Sequence, residues 1–298
     1  MSLFGKKKKE LYLSDRQPLT TGGMILLGLT YLILAFWAFV IIWPLVQMVI
    51  SAFNGTQANY LILNKEFEFS LKHFEHLFKE TLYLKWVVNT IVIAVATAIL
   101  TILIVSFTGY AYSRFRFKGR KASLMAIMLI QTIPAFAGIT AYYTIHSIIS
   151  SVIPPFSRQM MLILIYAGGG IASNTFILKG YMDSISTELD DAARIDGCSN
   201  MKVYRLIIMP IIRPMLAIIA LWSFIGPFMD YLLPKVLLTN PESYTLAAGL
   251  YTLINNRETL NQPAFAAGGL LIAIPIVILF AALQKQLISG LAQGSVKG

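Results

Sequence analysis

The chain has 298 residues, of which 57% are hydrophobic and 13% are charged. This composition excludes an ordinary soluble domain and indicates a membrane protein. The net charge of +10 could suggest a nucleic-acid partner, but the basic residues cluster at the ends of apolar runs, as in loops that face an anionic membrane leaflet. We therefore expect no nucleic-acid partner, and the single cysteine excludes an internal disulfide.

Six long apolar runs follow one another along the chain, and Arg213 in the fifth run is the one charged residue within them. Each run has the ~20 residues that a helix needs to cross ~30 Å of hydrocarbon, and a helix satisfies its own backbone groups in lipid. The runs are 24–50, 86–112, 122–145, 159–178, 206–229 and 263–283. The sequence therefore predicts an all-α membrane protein with six spanning helices within residues 24–290.

Lysine and arginine concentrate in alternate loops between these runs, which predicts the orientation of the chain. Basic residues precede the first run and lie between the second and third runs and between the fourth and fifth. On the other side, the lysines before the second run are balanced by glutamates. The pattern places both termini in the cytoplasm, as an N-terminal segment of residues 1–23 and a short tail of residues 291–298. The loop of about residues 184–205 then also faces the cytoplasm.

This cytoplasmic loop carries the charged stretch TELDDAARIDGCSNMKVYRLIIMP, which starts at Thr187. Its pattern predicts a short helix that Ser186 caps and Gly197 ends, followed by a second helix that Ser199 caps and that runs into the fifth span. The first helix is too polar to have a membrane face, and its small alanines would let the backbone of a soluble partner come close. The sequence therefore predicts either a helix that docks in a groove of a partner protein or a solvated connector between two spans.

The same stretch resembles the EAA loop of the permease subunits of binding-protein-dependent ABC importers. The matching positions are Asp191, Ala192, Ala193, Gly197, Met209 and Pro210. Asp196 precedes the glycine, as is common in the sugar-importing branch. The six spans, the basic loop YSRFRFKGRK and the ending GLAQGSVKG extend the similarity, which is greatest to the MalG-type permeases of maltose and maltodextrin importers. The chain departs from the pattern at Thr187, Asp191 and Cys198, where proline, glutamate and alanine are usual.

The resemblance implies a type I importer permease whose coupling helix, Ser186–Arg194, is seated in a cleft of a cytoplasmic ATP-binding subunit. The coupling residues that it implies are Glu188, Asp191, Ala192, Ala193, Asp196, Gly197 and Pro210. ATP-driven closure of the paired ATPases would rock the spanning helices between inward-facing and outward-facing states. The chain itself lacks a G-x-x-x-x-G-K-[ST] motif. ATP and Mg are therefore expected on the partner subunits, and this chain is expected to be a non-catalytic permease subunit that binds no cofactor.

The resemblance also implies an assembly in the cell membrane. It would combine this chain with a second permease subunit as a heterodimer, two ATP-binding subunits and an extracytoplasmic sugar-binding protein that delivers maltose, maltodextrin or another oligosaccharide. An ion-coupled secondary transporter and a non-transporting membrane scaffold are the alternatives. The first class usually carries ionisable groups within the membrane, whereas the predicted spans contain no Asp, Glu or Lys.

Uncharged polar residues in the third and fourth spans are candidates for the sugar path. They are Gln131, Tyr142, Tyr143 and Asn174. Amides and aromatic rings suit a neutral sugar, but tyrosines also anchor helices at the membrane interface and amides also bond between helices. Residues 168–170 are three glycines, for which we predict close helix packing.

The outward segment of residues 231–262 is predicted as a long loop that is polar in its second half. By resemblance, Asn255, Asn256, Arg257 and Glu258 would contact the binding protein, and a plain connecting loop is the alternative. No metal site is predicted, because no cluster of further ligands accompanies the histidines of the loop before the second span.

Overall fold

The computed structural model describes residues 21–55, 67–132, 138–255 and 260–295, with side chains as far as residue 284. Its helices, in chain order, are α1 Thr21–Phe53, α2 Lys72–Glu80, α3 Tyr83–Arg114, α4 Arg120–Ile130, α5 Ile139–Val152, α6 Arg158–Asp183, α7 Glu188–Ile195, α8 Asn200–Val203, α9 Met209–Met229, α10 Leu232–Leu237, α11 Leu246–Asn255 and α12 Gln262–Ser295. The all-α fold class is confirmed, since the β pairing within the described ranges is a single isolated bridge between Asn54 and Phe69.

Five helical stretches are long and apolar enough to cross a membrane. They are Thr21–Phe53, Tyr83–Arg114, Arg158–Asp183, Asn200–Met229 and Gln262–Gln284. These stretches contain five of the six predicted spans. The α1 residues before Val49 form a compact unit of their own, with exposed apolar side chains. Of the predicted terminal segments, residues 1–20 and 296–298 lie outside the described residues, and residues 291–295 continue α12.

The third predicted span is not one continuous helix, so the prediction for residues 122–145 is wrong in that respect. The helix α4 ends at Ile130, and the amide of Thr132 closes a turn onto the carbonyl of Leu129 at 3.0 Å. The sequence carries a local signal for a break in Pro134, which has no amide hydrogen and itself lies outside the described residues. The third span consists of α4 and α5, both of which lie against α6.

The core forms where α3 packs along α6 and α9. A close contact between α3 and α6 uses Gly109 of α3, where a Cβ atom would lie 3.1 Å from Cδ2 of Leu178. Thr108 and Thr175 share a hydrogen bond of 2.8 Å beside it. The close packing predicted for residues 168–170 is wrong for Gly168 and Gly169, where an added Cβ would meet no described atom within 4 Å. The packing glycine is on the neighbouring helix.

The outward segment 231–262 contains two helices, α10 and α11, rather than the predicted long loop. It is fastened to the start of α3, where the indole nitrogen of Trp86 donates to the carbonyl of Pro241 at 2.9 Å and Thr90 Oγ1 accepts the amide of Leu246 at 2.7 Å. Gly249 of α11 lies directly against the Trp86 ring. The missed signal is the apolar run LAAGLYTLI, which a helix can bury on α3 and α12.

Candidate partner-docking site

The helix α7 begins at Glu188, one residue later than predicted, at the bundle end where α3 and α6 terminate. Ser186 Oγ accepts the amide hydrogen of Glu188 at 3.2 Å, which satisfies the first helical donor. The first turn contains three carboxylates, on Glu188, Asp190 and Asp191. Acidic groups are favourable at this position because the helix dipole is positive there.

A Schellman turn ends α7 at the predicted glycine. Gly197 has φ of +81°, the amide of Cys198 bonds to the carbonyl of Ala193 at 2.9 Å, and the amide of Gly197 bonds to the carbonyl of Arg194 at 3.0 Å. Ser199 Oγ then accepts the amide of Lys202 at 3.4 Å and caps α8. The predicted order of helix, glycine turn and helix is confirmed.

Because an added Cβ at Gly197 would meet nothing within 4 Å, a substitution there acts through backbone strain alone. We expect Gly197→Val to weaken the end of α7 by about 1–2 kcal/mol, whereas Gly197→Asn costs less because asparagine tolerates a positive φ. Hydrogen exchange of the amides of residues 191–198 measures the difference. Equal exchange rates in the two variants would show that the turn does not depend on the left-handed conformation.

The junction between α8 and α9 is a π-helical turn, Tyr204–Ile208, which the sequence prediction missed. The amide of Met209 reaches back five residues to the carbonyl of Tyr204. The signal was Pro210, which has no amide hydrogen and whose ring would press on the preceding turn of a regular helix. The wider turn lets the chain continue into α9 without a break.

One face of α7 is buried against the bundle. Asp190 and Ala193 are buried, and Ala193 packs in the core cluster with Leu178, Met182 and Val203. Ala193 was predicted as a coupling residue, but its small size serves the contact between α7 and the bundle. Its methyl group is therefore not available to a partner.

The buried Asp190 pairs with Arg114 at the end of α3. Arg114 Nε lies 2.5 Å from Asp190 Oδ2, and the two side chains are 4% and 2% exposed. Sequence reasoning missed this pair, because it assigned Arg114 to membrane topology and Asp190 to the helix dipole. Residues so distant in the chain carry no local signal of their contact.

The opposite face of α7 is open to solvent. We define the docking face as Leu189, Ala192 and Ile195, all of which are exposed. Ile195 is 87% exposed, an unusual position for so large an apolar side chain. Four of the predicted coupling residues, Glu188, Asp191, Asp196 and Gly197, are exposed around this face, and Pro210 is exposed at the start of α9. An apolar centre with a charged rim is the usual composition of a protein interface.

The four candidate sugar-path residues do not form one site. The amide of Gln131 bonds to α6 twice, donating to the carbonyl of Gly169 at 2.7 Å and accepting from Ser173 Oγ at 2.6 Å. Tyr143 instead lies under the guanidinium of Arg158, 5.2 Å from its ring centre. Arg158 begins α6, about 24 Å along the helix from Asn174 at 1.5 Å per residue. Tyr142 is half-buried beside Gly138. Gln131 makes the interhelical bonds that were its alternative role.

A cavity of about 350 Å³ lies between α5, α6 and α10, and the sequence did not predict it. Its lining residues are Ile139, Ile165, Tyr166, Gly169, Asp230, Leu232 and Leu233. The hydroxyl of Tyr166 donates to Asp230 Oδ2 at 3.0 Å, while Asp230 Oδ1 accepts the amide of Leu232 at 2.9 Å. The polar groups thus satisfy each other, which leaves a mostly apolar wall.

The proposed binding-protein loop lies between α11 and α12. Asn255 is exposed at the end of α11, and Asn256, Arg257 and Glu258 lie outside the described residues. Asn261 closes the segment, since its amide bonds to the carbonyl of Leu253 at 2.8 Å and its Oδ1 accepts the amide of Ala264 at 3.0 Å.

No cluster of metal-binding side chains occurs in the part of the chain that the structure describes. His73 of α2 lies in a structural contact, with Nε2 2.9 Å from the carbonyl oxygen of Asn54. Burial lowers the pKa of His73 below its usual value. The neutral imidazole therefore fits a packing role.

Comparison with known proteins gives matches over most of the chain. Residues 105–293 match the family described as binding-protein-dependent transport system inner membrane component. The maltodextrin transport system permease protein MdxG of Bacillus subtilis is 44% identical over 269 residues, covering 90% of this chain and 95% of that protein. The galactooligosaccharides transport system permease protein GanQ of the same organism is 42% identical over 274 residues, covering 90% and 95%. The maltodextrin permease MalD of Streptococcus pneumoniae is 40% identical over 271 residues, covering 91% and 95%.

Solved structures show the same fold. A bacterial ABC transporter involved in the import of the acidic polysaccharide alginate superposes with a TM-score of 0.74, at 19% identity, covering 91% of this chain and all of that chain. A second structure, of an alginate ABC transporter in complex with an alginate pentasaccharide-bound periplasmic protein, gives a TM-score of 0.64 at 16% identity, covering 85% and 92%.

Proposed function

The chain belongs to the binding-protein-dependent transport system inner membrane components, and we propose that it is the permease subunit through which an ATP-driven importer passes maltodextrin-type oligosaccharides. The observation that carries this proposal is α7, which the bundle holds by its buried side while Leu189 and Ile195 face solvent. A helix presented in this way fits a groove on a soluble partner. The relatives at 44% and 40% identity support a maltodextrin as cargo.

In the proposed cycle, α7 sits in a cleft of a cytoplasmic ATP-binding subunit, which holds ATP and Mg. Closure of two such subunits displaces α7 and opens the spanning helices to the other side of the membrane. This chain contributes no catalytic group and no cofactor site. Its α7 binds the ATP-binding subunit and its spanning helices move. It forms one half of a heterodimer with a second permease subunit.

At the opposite end of the bundle, an extracytoplasmic sugar-binding protein would dock near the segment between α11 and α12. Asn261, on the α12 side of this segment, bonds to the carbonyl of Leu253 in α11, so the described residues that flank the segment are held together. Both termini would lie in the cytoplasm, on the side of α7. The basic loop between α3 and α4 favours this orientation, because residues 114–121 contain five basic residues and no acidic one.

The experiment that tests this function is uptake into liposomes containing this chain, its partner permease and the ATP-binding subunits. We expect labelled maltotetraose to enter only with ATP inside and the loaded binding protein outside. A galactose-based tetrasaccharide is the matched cargo, because GanQ is nearly as similar to this chain as MdxG. Preference for the galactose-based sugar would contradict the maltodextrin assignment, and uptake driven by an ion gradient without ATP would contradict the importer.

A further inference from the structure

We propose that Arg114 is a positioning residue that locks α7 to the ends of α3 and α6, so that these elements move as one body when α7 is displaced. This inference rests on the proposed docking of α7 to an ATP-binding subunit. It adds the step that follows docking, the transfer of the displacement to the spanning helices.

Arg114 contacts three segments at once. It is the last residue of α3, and its Nε pairs with Asp190 of α7 at 2.5 Å. Its Nη1 donates to the carbonyl of Met182 in the last turn of α6 at 3.1 Å, and its Nη2 donates to the carbonyl of Ile185 at 3.1 Å. The planar guanidinium of arginine has donors that point in several fixed directions, so it can make these three contacts at once. The single ammonium group of lysine cannot.

The attachment of α7 to the bundle depends strongly on this pair. Asp190 and Ala193 are the two buried residues of α7, and alanine buries only a methyl group. Among the described residues, Arg114 is the one cation within ion-pair distance of Asp190. Removing either partner would leave a buried charge without compensation, which is strongly unfavourable. The helix would then lose its fixed position on the bundle.

The ion pair between Arg114 and Asp190 also fixes the orientation of α7 on the bundle. Small apolar surfaces such as that of Ala193 can slide past each other, whereas the buried ion pair, together with the two hydrogen bonds that Arg114 donates to backbone carbonyls, defines one arrangement. The neighbouring segment is fixed separately, because the Tyr110 hydroxyl donates to the carbonyl of Asn200 at 3.2 Å. Loss of the pair should therefore loosen α7 while the junction with α9 stays in place.

The test compares Arg114→Gln with Arg116→Gln in the complete transporter in liposomes. Arg116 lies in the same basic loop and is exposed, so its variant removes an equal charge without touching the pair. We expect Arg114→Gln to keep the ATP-binding subunit in a pull-down but to lower the sugar imported per ATP hydrolysed about tenfold. Arg116→Gln should leave that ratio unchanged.

Further variants separate positioning from folding. Arg114→Lys keeps the charge beside Asp190 but loses the fork, so we expect an assembled transporter with an intermediate ratio. The double variant Arg114→Met with Asp190→Leu replaces the pair by apolar groups, which proteins often tolerate in terms of stability. This double variant should assemble normally, but it should still import little sugar per ATP hydrolysed. A normal ratio in this double variant would overturn the proposal, since burial alone would then suffice.

The failure of this inference can be told apart from failure of the docking function. An unchanged ratio in Arg114→Gln, together with loss of the ATP-binding subunit when Leu189 and Ile195 become aspartate, overturns the lock and leaves docking intact. Retention of the subunit by the aspartate variant overturns docking itself, and with it the basis of the inference.

Discussion

Replacing Leu189 and Ile195 with aspartate is expected to release the ATP-binding subunit from the membrane complex and to abolish most import. These side chains are 45% and 87% exposed, so the folded chain loses little by their replacement. Buried in a partner's groove, however, each would be a central contact, worth about 2 kcal/mol or about 30-fold in affinity. The aspartates would also carry unpaired charges into that groove.

The measurement is a pull-down through a tag on the ATP-binding subunit, followed by uptake into liposomes. Ser184→Asp is the control, because it adds a carboxylate at an exposed position of the same loop outside the docking face. Normal thermal unfolding of the aspartate variant would confirm that the bundle is intact. If the variant still binds the subunit and imports sugar at the usual rate, α7 is only a connector between two spans.

Replacing Gly249 with valine is expected to destabilise the chain more than any other glycine substitution considered above. An added Cβ would lie 2.1 Å from Cδ2 of Trp86 and 2.3 Å from its Cε3. The ring cannot simply turn away, because its indole nitrogen donates to the carbonyl of Pro241 and the residue is buried. Overpacking of this kind costs about 1–3 kcal/mol, which lowers the Tm of a chain of this size by about 2–5 °C.

Gly168→Val is the matched control, since an added Cβ at Gly168 of α6 meets nothing within 4 Å. Both variants place a β-branched residue in a helix, so their difference isolates the contact with Trp86. Thermal unfolding in detergent measures it. A second variant, Gly249→Ala combined with Trp86→Leu, should recover part of the lost stability, and equal Tm values for the two valine variants would contradict the packing of α11 on α3.

Local chemistry explains which parts of the fold could be predicted. Long uncharged runs are sufficient to locate spans, and caps act between residues that are close in the chain, so Ser186, Gly197 and Ser199 were interpreted correctly. The break of the third span also had a local signal in Pro134, but it was outweighed by an apolar run of the right length. The prediction failed there because hydropathy does not report a missing amide hydrogen.

The docking site was predicted in position but not in its buried half. The pattern of small and acidic residues identified α7, but it did not indicate which acidic side chain is buried against the bundle. Arg114 is one of five basic residues in its loop, and nothing in their order distinguishes the one that pairs with Asp190. Tertiary packing decides this, since α7 reaches α3 only after α6 has returned the chain to the same end of the bundle.

The π-helical turn before Pro210 determines on which side of the α9 axis the helix α7 lies. One additional residue is accommodated between Tyr204 and Met209 relative to a regular helix. Its deletion would turn everything before it by about 100° about the helix axis. The number of residues between Gly197 and Pro210 therefore fixes the orientation of α7 relative to α9.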